Sequence, residues 1–323
     1  MLRCKSMAQE RSTKIGIIGA GSVGATIAYA CMLRGVSQQI SLFDLNKDKV
    51  HAEALDLNHG LQFVPVANVN GSDDVNVLEH SDVIVMTAGA KQKPGQTRLD
   101  LAEANANICR KIIPDVVRVA PHAILLMVTN PVDVVTQIAQ KLSGLPPGRV
   151  FGSGTVLDSS RFRYLIARRC SVAVQNVHAY IVGEHGESEI PLWSSASIGA
   201  IPLDQWAVPG HGQLAGSDRA HIFENVRTAA DKVITGKGAT NYAVGLAVAS
   251  ILEAILNNEN RVLPVSSLLN EYRGISGVCL SVPCIVNRHG LEAALPVPMN
   301  VDEMAGLKAS ADRIREVAAT LGF

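Results

Sequence analysis

Two short stretches in the second half of the chain contain side chains that could carry out acid–base chemistry. The first, LDSSR, places Asp158 and Arg161 three residues apart in a predicted helix, and therefore on one face of it. The guanidinium of Arg161 could bind a carboxylate through two parallel hydrogen bonds, which would fix the orientation of an anionic ligand. The competing interpretation is a simple ion pair on a solvated surface.

The second stretch, GEHGESE, places His185 between glycines at the end of an apolar predicted strand. An imidazole has an ordinary pKa of about 6.5, so it could donate a proton to a forming alkoxide and take it back in the reverse direction. A carboxylate bound to the other ring nitrogen would fix the tautomer and stabilise the imidazolium, and Asp158 is the candidate. A solvated histidine in a turn is the alternative.

A third group of polar residues separates a predicted strand from a predicted helix. The segment AKQKPGQTR (90–98) follows the apolar DVIVMTAG and precedes LDLAEANANICRKIIPDVV. Pro94 and Gly95 favour a lid, and its closure would bring Arg98 onto a substrate carbonyl while excluding water. Excluding water strengthens charge–dipole contacts inside the site. Loop cations that are merely solvated are the ordinary alternative.

These groups match the demands of reducing a 2-oxo acid with a nicotinamide hydride. The substrate carboxylate must be fixed, the carbonyl polarised, and a proton delivered to the forming alkoxide. No cluster of histidine, cysteine and carboxylate residues has metal-ligand spacing, so the sequence predicts no metal.

A glycine-rich turn supplies the nucleotide-binding signal. GAGSVG follows the strand-like KIGII and opens the helical ATIAYACMLRG, which puts Gly19, Gly21 and Gly24 at a helix N-terminus. Amides there can hold a pyrophosphate, and the missing side chains let the backbone approach it. Glycines that only let a helix pack closely on a strand are the alternative.

The next predicted strand ends in Asp44, 20 residues after Gly24. A carboxylate there can accept hydrogen bonds from both hydroxyls of an adenine ribose and would repel a 2′-phosphate, so NAD is favoured over NADP. The competing role for Asp44 is to cap the helix that begins near Lys47.

The elements that must position these groups alternate in the first half of the chain. Apolar strands are predicted at 14–20, 39–44, 82–88 and 123–130, with helix-length segments between them. This order indicates an α/β fold with a Rossmann-type doubly wound parallel sheet, whose strand C-terminal ends meet ligands.

The pattern changes near residue 153, which predicts an α+β substrate or catalytic domain. It contains a helix in TVLDSSRFRYLIARR, β structure in NVHAYIVGEHGESEIPLW and two amphipathic helices around 218–257. A hairpin in RGISGVCLSVPCIVNRHGLEAAL and a C-terminal helix follow. The predicted division is a flexible tail (1–13), an NAD-binding domain (14–152) and a catalytic domain (153–323).

Composition excludes several classes of function. The 323 residues are 47% hydrophobic, with 29 basic and 29 acidic side chains, which gives no electrostatic reason to expect nucleic acid or an anionic membrane. No apolar run reaches the roughly 20 residues that span a bilayer, and the first eleven residues lack the apolar core of a secretory signal. Six cysteines without a Cys-x-x-Cys motif suit a reducing, cytoplasmic setting.

The run GAGSVG…FDLN…TAGAKQKPGQTRLDL…VTNPVD…GSGTVLDSSRFR…NVHAYIVGEHGES resembles the L-lactate/malate dehydrogenase family, from about residue 14 to the C-terminus. The resemblance implies that His185 is the proton donor and acceptor, that Asp158 orients it, and that Arg161 binds the substrate carboxylate. It further implies that Arg98 polarises the carbonyl, that Asn130 contacts substrate and nicotinamide, and that Thr240 faces the substrate side chain. The cofactor would be lined by Val23, Asp44, Lys49, Gly89, Ala90, Val128, Asn130 and Ser153, besides the three glycines.

Position 92 bears on the substrate. Malate-type members of the family carry Arg at this place in the loop and lactate-type members carry Gln, so the neutral Gln92 implies pyruvate/L-lactate. Burying a second substrate carboxylate without a cation would cost several kcal/mol. A bulkier 2-oxo acid is the close rival. Two wider alternatives are a malate or broader 2-hydroxy-acid dehydrogenase, and a non-catalytic NAD-binding structural or sensor protein.

A second site is predicted on the other side of the same helix. Arg163 lies two residues after Arg161, about 200° around the helix, and so faces away from the cleft. The resemblance implies that Arg163 and His178, from neighbouring subunits of a homotetramer, bind fructose 1,6-bisphosphate as an effector. The alternative is that Arg163 pairs with a carboxylate across a subunit contact and His178 is structural. Glu187 and Gln96 depart from the usual pattern of the family without removing a reacting group.

Overall fold

A computed structural model describes residues 12–90 and 97–323 of the chain. The predicted tail at 1–13 falls almost wholly outside the described residues, and Gln92 falls outside them together with the centre of the predicted lid. The backbone of Arg98 begins a helix, and the position of its side chain also lies outside the description.

The described strands are β1 (Lys14–Ile18), β2 (Gln39–Phe43), β3 (Asn68–Ser72), β4 (Val83–Met86), β5 (Ile124–Met127), β6 (Val150–Gly152), β7 (Val177–His178), β8 (Ile181–Gly183), β9 (Glu189–Pro191), β10 (Ser197–Ile198), β11 (Ile201–Pro202), β12 (Arg261–Leu269), β13 (Val278–Asn287) and β14 (Gly290–Ala294). The described α-helices are α1 (Ser22–Arg34), α2 (Lys47–His59), α3 (Arg98–Val119), α4 (Val132–Ser143), α5 (Val156–Cys170), α6 (Gly216–Arg227), α7 (Ala229–Lys237), α8 (Tyr242–Leu256) and α9 (Val301–Thr320).

The first six strands form a parallel sheet in the order β3-β2-β1-β4-β5-β6. Strands β1, β4 and β5 are buried along nearly their whole length because helices cover both faces, and this explains their unbroken apolar runs. The strand order reverses between β1 and β4, which opens a crevice at their carboxyl ends. The predicted Rossmann-type doubly wound sheet is confirmed.

The sheet continues into the second half of the chain without a break. Strand β12 pairs antiparallel with β6 through Ser266 and Gly152, and then with β13, which leads to β8, β9 and β14. The turn between β8 and β9 carries His185, and α5 carries Asp158. The antiparallel extension therefore brings the second half of the chain to the edge of the parallel sheet.

Three helices, not two, occupy the region around 218–257, so that prediction was wrong. Helix α6 ends at Arg227 and α7 at Lys237, where Gly238 adopts a left-handed φ of 84° as the C-cap. A residue without a Cβ takes this conformation at little cost, and it ends the helix before α8 begins. The hairpin of β13 and β14 and the C-terminal helix α9 are as predicted.

The apolar core is continuous across both halves, with a second cluster around Phe162 on α5. The ring of Phe162 packs edge-on against Trp193, with centroids 4.6 Å apart. All five described cysteines are free and buried, and burial raises the pKa of Cys31 and Cys109 to about 12, so these thiols stay protonated. Among the described helices, none combines the length and apolarity that crossing a bilayer requires.

Candidate active site

The glycine turn after β1 shows why these positions exclude side chains. Gly19 has a φ of 100°, and a Cβ on Gly24 would lie 1.9 Å from the carbonyl oxygen of Gly19, so the turn itself requires both. A Cβ on Gly21 would meet nothing within 4 Å. The free space above Gly21, at the N-terminus of α1, fits a pyrophosphate that comes close to the backbone amides.

Asp44 lies at the end of β2, half-buried beside this turn. Its Oδ2 accepts a hydrogen bond from the amide of Ala20 at 2.7 Å, and its Oδ1 accepts one from the amide of Asn46 at 2.9 Å. The N-cap of α2 is Asn46, whose side chain accepts from the amide of Lys49, so the alternative role of Asp44 as the helix cap is wrong. Its carboxylate is tied to the glycine turn, where a ribose would lie.

Asn105, a residue that sequence analysis missed, holds the loops after β4 and β5 together. It is 1% exposed on α3, accepts from the amide of Ala90 at 2.7 Å and donates to the carbonyl of Asn130 at 2.6 Å. Gly89 is equally constrained, since a Cβ there would lie 2.4 Å from Thr129 Cγ2. The available signal was a polar residue at a buried position of an amphipathic helix.

Of the remaining predicted cofactor residues, two lie outside the crevice loops. Val23 packs partly buried against the core in the first turn of α1, and Lys49 is exposed near the start of α2.

A small cavity of about 60 Å³ brings residues of both halves together. The first half of the chain contributes Val128 and Asn130 to the lining of this cavity, and the junction between the halves contributes Ser153. The β8–β9 turn contributes His185. The other walls of the cavity come from the start of α5 and from α8: Gly154, Val156, Leu157, Val244, Ala247 and Val248. Thr240 lies in the loop before α8, outside the set of described residues that line the cavity. A larger cavity of about 380 Å³, around His122, Arg149 and His289, lies at the amino ends of β5 and β6, opposite the strand ends that form the crevice.

His185, Asp158 and Arg161 form one chain of contacts at this cavity. The imidazole Nδ1 lies 2.6 Å from Asp158 Oδ2, and Arg161 donates from Nη1 to Asp158 Oδ1 at 2.8 Å. The side chain of Asp158 is 3% exposed, that of Arg161 18% and that of His185 25%. Since this pair is largely removed from water, the alternative of a simple ion pair on a solvated surface does not describe it.

Electrostatics keeps the imidazole charged at neutral pH. The carboxylate of Asp158 raises the pKa of His185 to about 9, against the opposing effect of burial. Burial alone would raise the pKa of Asp158, but the charges of His185 and Arg161 hold that pKa below its ordinary value. With Nδ1 engaged by Asp158, Nε2 is the nitrogen that can pass a proton to a ligand.

Asp133 fixes the backbone of the histidine turn. It lies 1% exposed in the first turn of α4, where its Oδ2 accepts from the amide of His185 at 2.8 Å and its Oδ1 from the hydroxyl of Ser281 at 3.3 Å. Burial raises the pKa of Asp133 to about 6. Sequence analysis did not identify this role, although a lone acid within the apolar VDVVTQIA of α4 marks a buried polar group.

Glu189 adds another carboxyl group to the cluster. Atoms of Asp158, His185 and Glu189 that could serve as metal ligands lie within 4.8 Å of one another. Both oxygens of Asp158 are already engaged, one by the imidazole and one by the guanidinium of Arg161. A second cation beside Arg161 would be repelled, so a proton-sharing network accounts for this cluster better than a metal does.

Arg163 of α5 contacts the residue next to His178, the other predicted effector residue. Arg163 donates from Nε to the carbonyl of Ala179 at 2.8 Å, and its guanidinium lies 4.9 Å from the ring centroid of Tyr180. His178, the neighbour of Ala179, is exposed at the end of β7. Burial lowers the pKa of Arg163.

Comparison with known proteins places this geometry in a family. Residues 13–152 match the family model of the lactate/malate dehydrogenase NAD-binding domain, and residues 155–321 match that of the lactate/malate dehydrogenase alpha/beta C-terminal domain. The chain belongs to the lactate/malate dehydrogenase family, as the sequence motifs predicted. Its first half is the NAD-binding domain of that family, which confirms NAD as the predicted cofactor.

Individual relatives agree over nearly the whole chain. The chain is 53% identical to an L-lactate dehydrogenase of Bifidobacterium animalis, over 97% of this chain and 98% of that one. It is 47% identical to an L-lactate dehydrogenase of Acetivibrio thermocellus, over 95% and 97% of the two chains. A solved lactate dehydrogenase from a deep-sea metagenome superposes with a TM-score of 0.93 at 38% identity, over 97% of this chain and 100% of that one. The minor L-lactate dehydrogenase of Enterococcus mundtii gives 0.91 at 38% identity, over 96% and 98%.

Proposed function

We propose that the protein is an NAD-dependent L-lactate dehydrogenase, which interconverts pyruvate and L-lactate. The observation that carries the proposal is the contact of 2.6 Å between His185 Nδ1 and Asp158 at a cavity shared with Asn130 and Ser153. An acid–base group held in this way, beside residues of an NAD-binding domain, suits reduction of a carbonyl. The names of the relatives from Bifidobacterium and Acetivibrio support the choice of L-lactate.

In this proposal, different side chains of the site contact different parts of the substrate. Arg161 binds the carboxylate of pyruvate, because its planar guanidinium has donors beyond the one given to Asp158. Arg98 polarises the carbonyl when the loop closes, Asn130 contacts the substrate, and Thr240 faces its methyl group. Gln92 provides a neutral lining, which suits a methyl group and penalises a second carboxylate.

His185 delivers the proton. Bound NADH supplies the hydride for the carbonyl carbon. The imidazolium of His185 gives the proton on Nε2 to the forming alkoxide oxygen, and the neutral imidazole takes it back when lactate is oxidised. Asp158 holds Nδ1 throughout, which fixes the tautomer and stabilises the charged ring.

The cofactor is assigned to the crevice at the carboxyl ends of β1, β4 and β5. The residues proposed to line it are Gly19, Gly21, Val23, Gly24, Asp44, Lys49, Gly89, Ala90, Val128, Asn130 and Ser153. The hydrogen bond from Ala20 to Asp44 and the open space above Gly21 support this assignment. The proposed division into an NAD-binding domain at 14–152 and a catalytic domain at 153–323 is supported by the residues that the two family models match.

Steady-state oxidation of NADH with a panel of 2-oxo acids tests the proposed function. We expect the highest kcat/KM with pyruvate, compared with oxaloacetate and branched 2-oxo acids. His185→Asn should abolish turnover while it leaves binding of NADH, measured by fluorescence, unchanged. A higher kcat/KM with oxaloacetate, or turnover by His185→Asn at the rate of the wild type, would contradict the proposal.

The proposal includes an effector site at Arg163 and His178 for fructose 1,6-bisphosphate, formed between subunits of a homotetramer. The exposure of His178 and its closeness along the chain to Ala179, which Arg163 contacts, support a shared anion site. Pyruvate reduction at low substrate concentration should rise when the bisphosphate is added, and His178→Ala should abolish the rise. A flat response of the wild type would remove the effector from the proposal and leave the catalytic assignment standing.

We propose that the protein is located in the cytoplasm. Five described cysteines are free and buried, as suits a reducing compartment. Sedimentation of the purified protein at several concentrations would test the tetramer.

A further inference from the structure

Glu189 is a buried acid that the proposed mechanism does not use. It lies on β9 opposite Gly183 of β8, and it is 6% exposed. Its Oε1 is buried and has no hydrogen-bond partner within the part of the chain that the structure describes. An ionised carboxylate in such a place would be costly, so the position demands either a proton or a compensating charge.

The surroundings of Glu189 are the charges of the proton-transfer site. Its carboxyl group, His185 and Asp158 have atoms within 4.8 Å of one another. Arg161 on α5 and Arg227 on α6 also act on it electrostatically, and Asp133 of α4 acts electrostatically on His185. Burial, reinforced by the negative charge of Asp158, raises the pKa of Glu189 to about 8, while the positive groups oppose this rise.

We propose that Glu189 is a positioning residue of the proton-transfer site, which keeps its own proton at neutral pH and becomes a second negative charge beside the His185 imidazolium in alkaline solution. His185 then stays protonated to a higher pH than it would with the charge of Asp158 alone. Because pyruvate reduction needs the imidazolium and lactate oxidation needs the neutral ring, Glu189 extends the first reaction into alkaline solution and delays the onset of the second. This inference rests on the proposed dehydrogenase function.

Glu189→Gln removes the charge and keeps the shape, so its effect must depend on pH. At about pH 6.5 the two proteins should have equal kcat/KM for pyruvate, because position 189 is neutral in both. Loss of a charge at about 5 Å, partly offset by two guanidinium groups, should move the titration of His185 down by about one pH unit. Pyruvate reduction at about pH 9 should therefore fall about fivefold, and lactate oxidation at about pH 8 should rise about fivefold.

Glu187→Gln is the matched control. Glu187 is closer to His185 along the chain than Glu189 is, but it is 52% exposed and paired with Arg313, so its charge is screened by solvent and by a cation. The control should follow the wild-type pH profile for both reactions. An equal loss for Glu189→Gln at every pH, or a profile that superposes on the wild type, would overturn the inference.

Two further measurements do not depend on turnover. Nuclear magnetic resonance of labelled histidine should show His185 titrating at lower pH in Glu189→Gln than in the wild type, and an unchanged titration would count against the proposal. Infrared difference spectra of the wild-type protein should show a protonated carboxyl band at about pH 7.5, where Asp133 has ionised, and this band should be lost by about pH 9.5. Its absence would refute the proposal even if the variant failed to fold. If the wild-type protein reduced no 2-oxo acid, only the proposed dehydrogenase function would be contradicted. Both spectroscopic tests of Glu189 could still be carried out.

Discussion

Replacing Asp158 by Asn should weaken proton transfer, most strongly in alkaline solution, while keeping the shape of the site. The pKa of His185 is about 9, compared with an ordinary value of 6.5, and the charge of Asp158 is the largest cause. A difference of about two to three pKa units corresponds to about 3 kcal/mol of imidazolium stabilisation. Since the imidazole side chain is 25% exposed, solvent screens part of this interaction, and we expect a loss of about 2–3 kcal/mol in the variant.

This loss corresponds to a fall of about two units in the pKa of His185. In Asp158→Asn, kcat for pyruvate reduction should therefore fall about fourfold at about pH 7.5 and about 50-fold at about pH 9, because a smaller fraction of the imidazole is protonated. The alkaline limb of the pH profile should also move towards neutral pH, because the imidazolium is no longer stabilised by a carboxylate. The assay is steady-state NADH oxidation at saturating pyruvate between about pH 6 and pH 10. NADH affinity, measured by fluorescence, should stay that of the wild type, since Asp158 belongs to the substrate side.

Asp218→Asn is the matched control, because Asp218 pairs with Arg169 of the same helix α5 through an exposed contact of 3.0 Å. This variant should retain the wild-type kcat and pH profile. If Asp158→Asn kept kcat at about pH 9 within about threefold of the wild type, with its alkaline limb still near pH 9, the dependence of the His185 imidazolium on Asp158 would be refuted.

Three other predictions concern the cofactor turn, stability and substrate choice. Gly21→Ala should keep the wild-type melting temperature but weaken NADH binding about tenfold, whereas Gly24→Ala, whose Cβ would lie 1.9 Å from a carbonyl oxygen, should also lose about 3 kcal/mol of stability in urea unfolding. Equal effects of the two variants on NADH binding and stability would argue against a cofactor above Gly21. The pKa of Glu189 rises from 4.5 to about 8 on burial, so the folded protein retains a proton that the unfolded chain has released, and stability should fall as pH rises across that window. Glu189→Gln removes this penalty, so its melting temperature should match the wild type near pH 4.5 and exceed it increasingly up to pH 8; a constant difference would contradict the assignment. Gln92→Arg should shift the ratio of kcat/KM from pyruvate towards oxaloacetate by about 100-fold, because a buried second carboxylate gains a cation; an unchanged ratio would show that position 92 does not contact the substrate.

The sequence determined the parts of this protein that depend on local spacing. Apolar runs at 14–20, 39–44, 82–88 and 123–130 predicted β1, β2, β4 and β5 because a strand buried on both faces must be apolar throughout. The sequence also predicted the nucleotide-binding turn and Asp44, because the spacing of glycines and a carboxylate at the end of a strand are local features. The three-residue spacing of Asp158 and Arg161 correctly placed them on one helix face, and their contact of 2.8 Å agrees.

The sequence did not predict two strands, β3 and β12, whose formation depends mainly on pairing with neighbouring strands. Strand β3, NVNGS, has Val69 as its only buried residue and is held at the sheet edge by main-chain bonds to β2, so no apolar pattern marks it. Strand β12, RVLPVSSLL, contains a proline and two buried serines, which conceal a strand that lies between β6 and β13. Such strands are specified by the neighbours that pair with them, and a single sequence does not show neighbours.

The acid–base site itself was decided by tertiary structure. Asp158 and His185 are 27 residues apart, and Asp133 and His185 are 52 apart, so their contacts arise only when α4, α5 and the β8–β9 turn pack together. The sequence assigned no role to Asn105, Asp133 or Glu189, although the last two lie in the quoted VTNPVD and GEHGESE. Their importance comes from burial and from the groups that burial brings near them. Residue type and local period are encoded along the chain, whereas burial and charge proximity belong to the packed fold, and these set which proton each group holds.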